Sequence, residues 1–126
     1  MKELTRAEEQ VMQLLWRIGK GHVNDLLGYF PEPKPAYNTV STIIRILEKK
    51  EFVGHETVGK SHRYFPKVSK RDYARFTMKQ MLNGYFSNSY KQMVSFFARE
   101  DNLTLKEMEE IRLLMEQQIN EKKQQP

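Results

Sequence analysis

The side chains capable of chemistry fall into three groups. The first is His22, His55 and His62, the only histidines. No two are spaced as His-x-x-x-His and none follows a Glu-x-x-His pattern, so no metal site is expected. The chain has no cysteine. That excludes disulfides, thiol catalysis and thiolate metal centres. The second group is acidic: residues 100–121 carry seven Asp/Glu against Lys106 and Arg112. These lie along an apolar-sided stretch and read as a solvated helix face, not as paired catalytic carboxylates. There is no phosphate-cradling glycine loop and no nucleophile elbow. No catalytic residue, cofactor or metal is expected, and the chain does not read as an enzyme.

The third group is polar and basic. Asn38, Ser41, Thr42, Arg45 and Lys49 share one edge of a stretch whose other side is Val40, Ile43, Ile44 and Leu47. Short amides and hydroxyls near a helix N-terminus can meet base edges in a major groove, and Arg can reach guanine or phosphate. Lys49 and Lys50, later in the helix, suit phosphate contact. Thr39 borders the apolar side and is the weakest member. Lys60, His62 and Arg63 follow in the next basic segment, where phosphate or minor-groove contact is expected. On one helix alone, such a polar stripe is more often just solvated. The basic segment that follows favours nucleic acid.

These residues need positioning elements. Thr5 and Glu8 form a capping box for a first helix, with Val11, Met12, Leu14, Leu15 and Ile18 at helical spacing. A short second helix is expected over Asn24 to Phe30. Pro31, Pro33 and Pro35 make an extended connector. The third helix spans Tyr37 to Lys50. From Val53 the period changes to two. Val53, His55 and Thr57 alternate with their neighbours, as do His62, Tyr64 and Pro66 after a Gly59-Lys60-Ser61 turn, which predicts a β-hairpin. Ser69 and Asp72 cap a further helix, expected to break at Gly84. Another helix carries Tyr90, Met93, Val94, Phe96 and Phe97. Thr104 and Glu107 form a second capping box, opening a last helix before a loose polar tail from Glu121.

The expected fold is mainly α with a small β-hairpin: a winged helix-turn-helix domain over residues 1–68, then an α-helical dimerisation region over 69–126. The 126 residues carry a net charge of +5. The basic middle and acidic far end admit a nucleic-acid partner. No apolar run is long enough to span a bilayer, and the charged opening MKELTRAEEQ is unlike a signal peptide. A cytoplasmic protein without direct membrane binding is expected. Tyr85, Phe86, Tyr90, Met93, Phe96, Phe97 and Met108 are too many apolar residues for three short helices to bury, so a homodimer is expected. The rival is a small-ligand-sensing winged-helix regulator with an aromatic C-terminal pocket. A protein-interaction module that never touches DNA is a third reading.

Ala36-Tyr37-Asn38-Thr39-Val40-Ser41-Thr42-Ile43-Ile44-Arg45-Ile46-Leu47-Glu48-Lys49-Lys50-Glu51-Phe52-Val53 resembles the third-helix signature of the penicillinase-repressor (BlaI/MecI/CopY) family. Leu4-Thr5-x-Ala7-Glu8-x-x-Val11-Met12-x-x-Leu15-Trp16 is similar to that family's first helix, and Arg63-Tyr64-Phe65-Pro66 to its hairpin. The resemblance implies a dimeric winged-helix repressor on palindromic double-stranded operator DNA, controlling resistance or stress genes of β-lactam type. It also implies release by a membrane sensor protease that cuts the dimerisation region, and Ser95-Phe96 matches the cleaved bond with Ser95 in place of asparagine. Copper-responsive members carry C-terminal cysteines, which this chain lacks. Glu51 stands where the family has glycine, so strain or a different turn is expected there.

Overall fold

A computed structural model describes residues 1–100 and 102–126. Asp101, one of the acids counted above, lies outside the described residues. In chain order the elements are α1 (Arg6–Ile18), α2 (Val23–Leu27), α3 (Tyr37–Lys49), β1 (Val53–Val58), β2 (Ser61–Pro66), α4 (Lys70–Tyr85), α5 (Tyr90–Glu100) and α6 (Leu105–Lys123). The fold is mainly α with one antiparallel hairpin, a winged helix-turn-helix followed by helices. Two compact units divide the chain, Met1–Met78 and Lys79–Pro126.

In the first unit, α1 starts at the Thr5–Glu8 capping box, with both reciprocal bonds formed. Its apolar stripe puts Val11, Met12 and Leu15 into a core with Leu26 of α2 and Val40, Ile44 and Leu47 of α3. Each fully buried aliphatic side chain contributes roughly 1.5–3 kcal/mol relative to exposure. Phe52, Val53 and Tyr64 extend the core under the hairpin. Tyr73 closes it from the start of α4: its hydroxyl accepts from the Leu4 amide at 2.9 Å, and its ring meets the edge of Phe52 at 5.7 Å. The Trp16 indole donates to the Val68 carbonyl at 2.8 Å.

The hairpin register pairs Val53 with Pro66, His55 with Tyr64 and Thr57 with His62. The residues expected on one face therefore share it. The turn has two residues, Gly59-Lys60, and Ser61 pairs with Val58 as the first residue of β2. Gly59 has φ +63°, which a tight hairpin turn needs at its first central position. Gly21 bridges β2 by exchanging two backbone hydrogen bonds with Tyr64, at 2.8 and 2.9 Å. The hairpin is thus tied to the segment between α1 and α2.

Several boundaries differ from expectation. Helix α2 runs over Val23–Leu27, not to Phe30. The Asp25 carboxylate accepts from the His22 amide and starts it, and single-turn bonds from Tyr29 and Phe30 close it. Gly84 does not break α4, since one glycine costs a helix only about 1 kcal/mol against alanine. The chain turns instead at Ser87 and Asn88, both at positive φ, where the Asn88 amide reaches back to the Leu82 carbonyl. Helix α6 continues past Glu121 to Lys123, with Lys122 and Lys123 opposing the helix dipole. Glu51 has φ +66°, the left-handed conformation in which glycine is at ease, and its carboxylate pairs with Lys67.

In the second unit, Leu82 is the one buried large apolar residue among the described residues. Phe86 and Phe96 pack with ring centroids 5.5 Å apart, yet Phe96 is 56% exposed and Tyr85 83%. Helix α6 begins at the Thr104–Glu107 capping box and buries nothing. Leu105, Met108, Ile111, Met115 and Ile119 form an exposed stripe along it.

Candidate nucleic-acid interface

Burying Val40, Ile44 and Leu47 fixes the rotation of α3 and turns the other edge outward. Asn38, Thr42, Arg45 and Lys49 are exposed there, and Ser41 is half-buried. The Thr42 hydroxyl donates to the Asn38 carbonyl one turn back, at 2.8 Å. Its proton is therefore engaged, and toward a groove it offers oxygen lone pairs and a methyl group.

The hairpin turn comes up beside this edge. Ser41 and Arg45 of α3, Lys60 and His62 of the hairpin, and His22 and Asp25 at the start of α2 line one open cleft of about 390 Å³. Four expected contact residues, from two elements, are brought together there. Among the described residues Arg45, Lys49 and Lys60 make no ion pair within the protein. Their charge is available to an anion, and Asp25 is the acid on the cleft wall. Tyr64 forms the inner wall. Burial pushes its phenol up from the ordinary value, Glu48 adds to the shift and Arg45 opposes it, so it stays a neutral hydrogen-bonding group.

Other expected residues lie apart. Thr39 lines a separate cleft of about 330 Å³ with Phe30, Pro33, Pro35 and Ile43. Arg63 points to the opposite side of the hairpin, since side chains alternate, and sits 3.7 Å from Glu56, which Lys20 also approaches at 3.5 Å. Lys50, expected at phosphate, turns inward instead. Its ammonium donates to buried Glu8 at 2.8 Å. Burial would raise the Glu8 carboxyl, but the Lys50 and Thr5 hydrogen bonds outweigh it and hold it below its ordinary value.

Two residues escaped the reading of the sequence. Tyr37, at the start of α3, is half-exposed on the cleft wall. The His22 ring nitrogen Nδ1 lies 2.9 Å from the His62 carbonyl and ties the hairpin to α2. The run of Tyr37 into the α3 signature was a usable hint. The contact of His22 with a residue 40 positions away left no local trace.

The family model described as Penicillinase repressor matches residues 4–117. The chain belongs to the penicillinase repressor family. Its members are DNA-binding transcriptional repressors, and the exposed edge of α3 beside the hairpin is the part of this chain suited to that role. The chain is 24% identical over 123 residues to a penicillinase repressor of Bacillus licheniformis, covering 97% of this chain and 96% of that one. It is 25% identical over 114 residues to the methicillin resistance regulatory protein MecI of Staphylococcus aureus, covering 90% and 93%. A penicillinase repressor of Staphylococcus aureus is 28% identical over 111 residues, covering 87% and 88%. Among solved structures, a CopR repressor superposes with a TM-score of 0.45 at 29% identity, covering 54% of this chain and all of that one.

Proposed function

We propose that the chain acts as a cytoplasmic homodimer on a palindromic operator, with α3 in the major groove and the hairpin turn along the backbone. The observation that carries this reading is the cleft that joins Ser41 and Arg45 to Lys60 and His62. Asn38, Ser41, Thr42 and Arg45 read base edges, with Thr39 at the margin. Lys49, Lys60, His62 and Arg63 meet phosphate, Arg63 from the outer side of the hairpin. Repression follows from occupying a promoter. The relatives' names support a resistance operon of β-lactam type.

The exposed stripe of α6 supports the homodimer. Five apolar side chains on one helix face favour association, because burial removes them from water. Two tethered half-site contacts bind about 10²–10⁴-fold more tightly than one. Proteolysis at Ser95-Phe96 by a membrane sensor protease would end that gain. The bond lies inside α5, so the helix must open locally before a protease can take it. Partial exposure of Phe96 supports such opening. The test is binding of the full chain to the duplex upstream of its own coding sequence. Salt-sensitive, sequence-selective binding is expected. Equal binding to a random duplex would overturn the operator reading.

The second reading keeps a ligand in the aromatic C-terminal region. Tyr85, Phe86 and Phe96 line an open cleft of about 670 Å³ with Lys91, Arg99 and Glu100, which suits an aromatic ligand with polar groups. A compound that raises the melting temperature and weakens DNA binding would support it over proteolysis.

A further inference from the structure

The two flanks of α3 differ in chemistry. On one, Ser41 and Arg45 face the hairpin turn across the cleft with Lys60 and His62. On the other, helical spacing sets Thr39, Thr42 and Ile46 side by side, with Lys50 at the helix end. Lys50 brings no free charge to that flank, because buried Glu8 holds its ammonium at 2.8 Å. The first flank is basic, and the second is apolar at its middle.

Ile46 makes it so. Val40, Ile44 and Leu47 are fully buried and Ile43 is half-buried, whereas Ile46 is 41% exposed and stands outside the core. A single exposed isoleucine is ordinary on a protein surface. This one lies one helical turn beyond Thr42, an exposed member of the polar edge. The Thr42 hydroxyl donates its proton to the Asn38 carbonyl at 2.8 Å. While it does so it cannot also donate to guanine O6 or N7, or to thymine O4. What remains is a γ-methyl group and an acceptor oxygen. Asn38, Ser41 and Arg45 supply the polar groups that a purine edge requires, and Thr42 and Ile46 supply carbon. In the major groove, thymine is the base that presents a methyl group.

We propose that Thr42 and Ile46 are specificity-determining residues that pack on thymine 5-methyl groups in each half-site, so that the apolar flank of α3 selects thymine over cytosine. The proposal rests on the reading of α3 as the helix in the major groove, and it deepens that reading by naming the group that this flank meets. Packing a methyl group on these side chains removes carbon from water on both sides. Cytosine has no methyl group there, and its N4 amino group would lie against Ile46 without an acceptor.

The test is the Kd of the full chain for the upstream duplex, with deoxyuridine replacing thymidine one position at a time. That exchange removes the methyl group and keeps the base pair. The wild type is expected to lose about three- to fivefold at one or two positions of each half-site. Thr42→Ser keeps the hydroxyl and drops the methyl. Thr42→Ser and Ile46→Ala should each respond less to deoxyuridine, and the double variant should not respond. Thr42→Val keeps the carbon and drops the oxygen, and should respond as the wild type does. The deoxyuridine series on the wild type decides the matter even if a variant is unstable. Selective binding with no thymine sensitive to the exchange would overturn the proposal and leave the operator reading standing. So would the full wild-type response in the double variant. Loss of the response in Thr42→Val would overturn the role of the Thr42 methyl. Equal binding of the wild type to a random duplex would overturn both readings.

Discussion

The two units of this chain use apolar side chains in opposite ways. In Met1–Met78 the stripes of α1, α2 and α3 face inward, and Val11, Met12, Leu15, Leu26, Val40, Ile44 and Leu47 are fully buried. In Lys79–Pro126 the helix α6 carries a weaker apolar stripe, which is exposed, and the helix buries nothing. A stripe specifies only that something covers it. In the first unit the covering side chains are present in the same chain. In the second, a second copy of the chain is the proposed cover.

The largest expected effect breaks that contrast at α6. Ile111→Asp with Met115→Asp should leave the first unit folded, yield monomers on sedimentation and weaken operator binding by about 10²–10⁴-fold. Next comes the core. Ile44→Ala should cost about 2–5 kcal/mol in denaturant unfolding. Leu113→Ala, off the α6 stripe, should stay within about 0.5 kcal/mol. Glu8→Gln should cost about 1–3 kcal/mol at neutral pH by leaving Lys50 without its charged acceptor. Glu8 is depressed in the fold, so its contribution is present above the unfolded-state titration and fades as pH falls through the folded-state value. The gap between wild type and Glu8→Gln should therefore close in acid. The smallest effect is at Glu51. Replacing it with glycine should relieve the left-handed backbone and raise the unfolding midpoint slightly, despite losing the exposed pair with Lys67.

Local signals were the legible ones. Both Thr-x-x-Glu boxes start helices because cap and partner sit three residues apart. The alternation through His55, Thr57, His62 and Tyr64 gave the hairpin faces because side-chain direction has period two. The start of α2 was less legible, since its cap is the His22 amide on Asp25. Gly84 misled because a solvated helix tolerates glycine. The polar edge of α3 was legible as an edge, but its company was not. Lys50 turns to a glutamate 42 residues away, a contact that only the assembled fold makes, whereas the far-side place of Arg63 already follows from the alternation of the hairpin.

The central claim is that the α3 edge at residues 38–49 enters a duplex. The chain has no cysteine, so Ser41→Cys supplies a single thiol for a DNA-cleaving iron chelate. Cutting is expected within a few base pairs, in each half of a dyad upstream of the gene. The same label on Gln13→Cys, an exposed position of α1, should cut far less there. Equal cutting from both positions, or none from Ser41→Cys in a complex that still binds, would contradict the account.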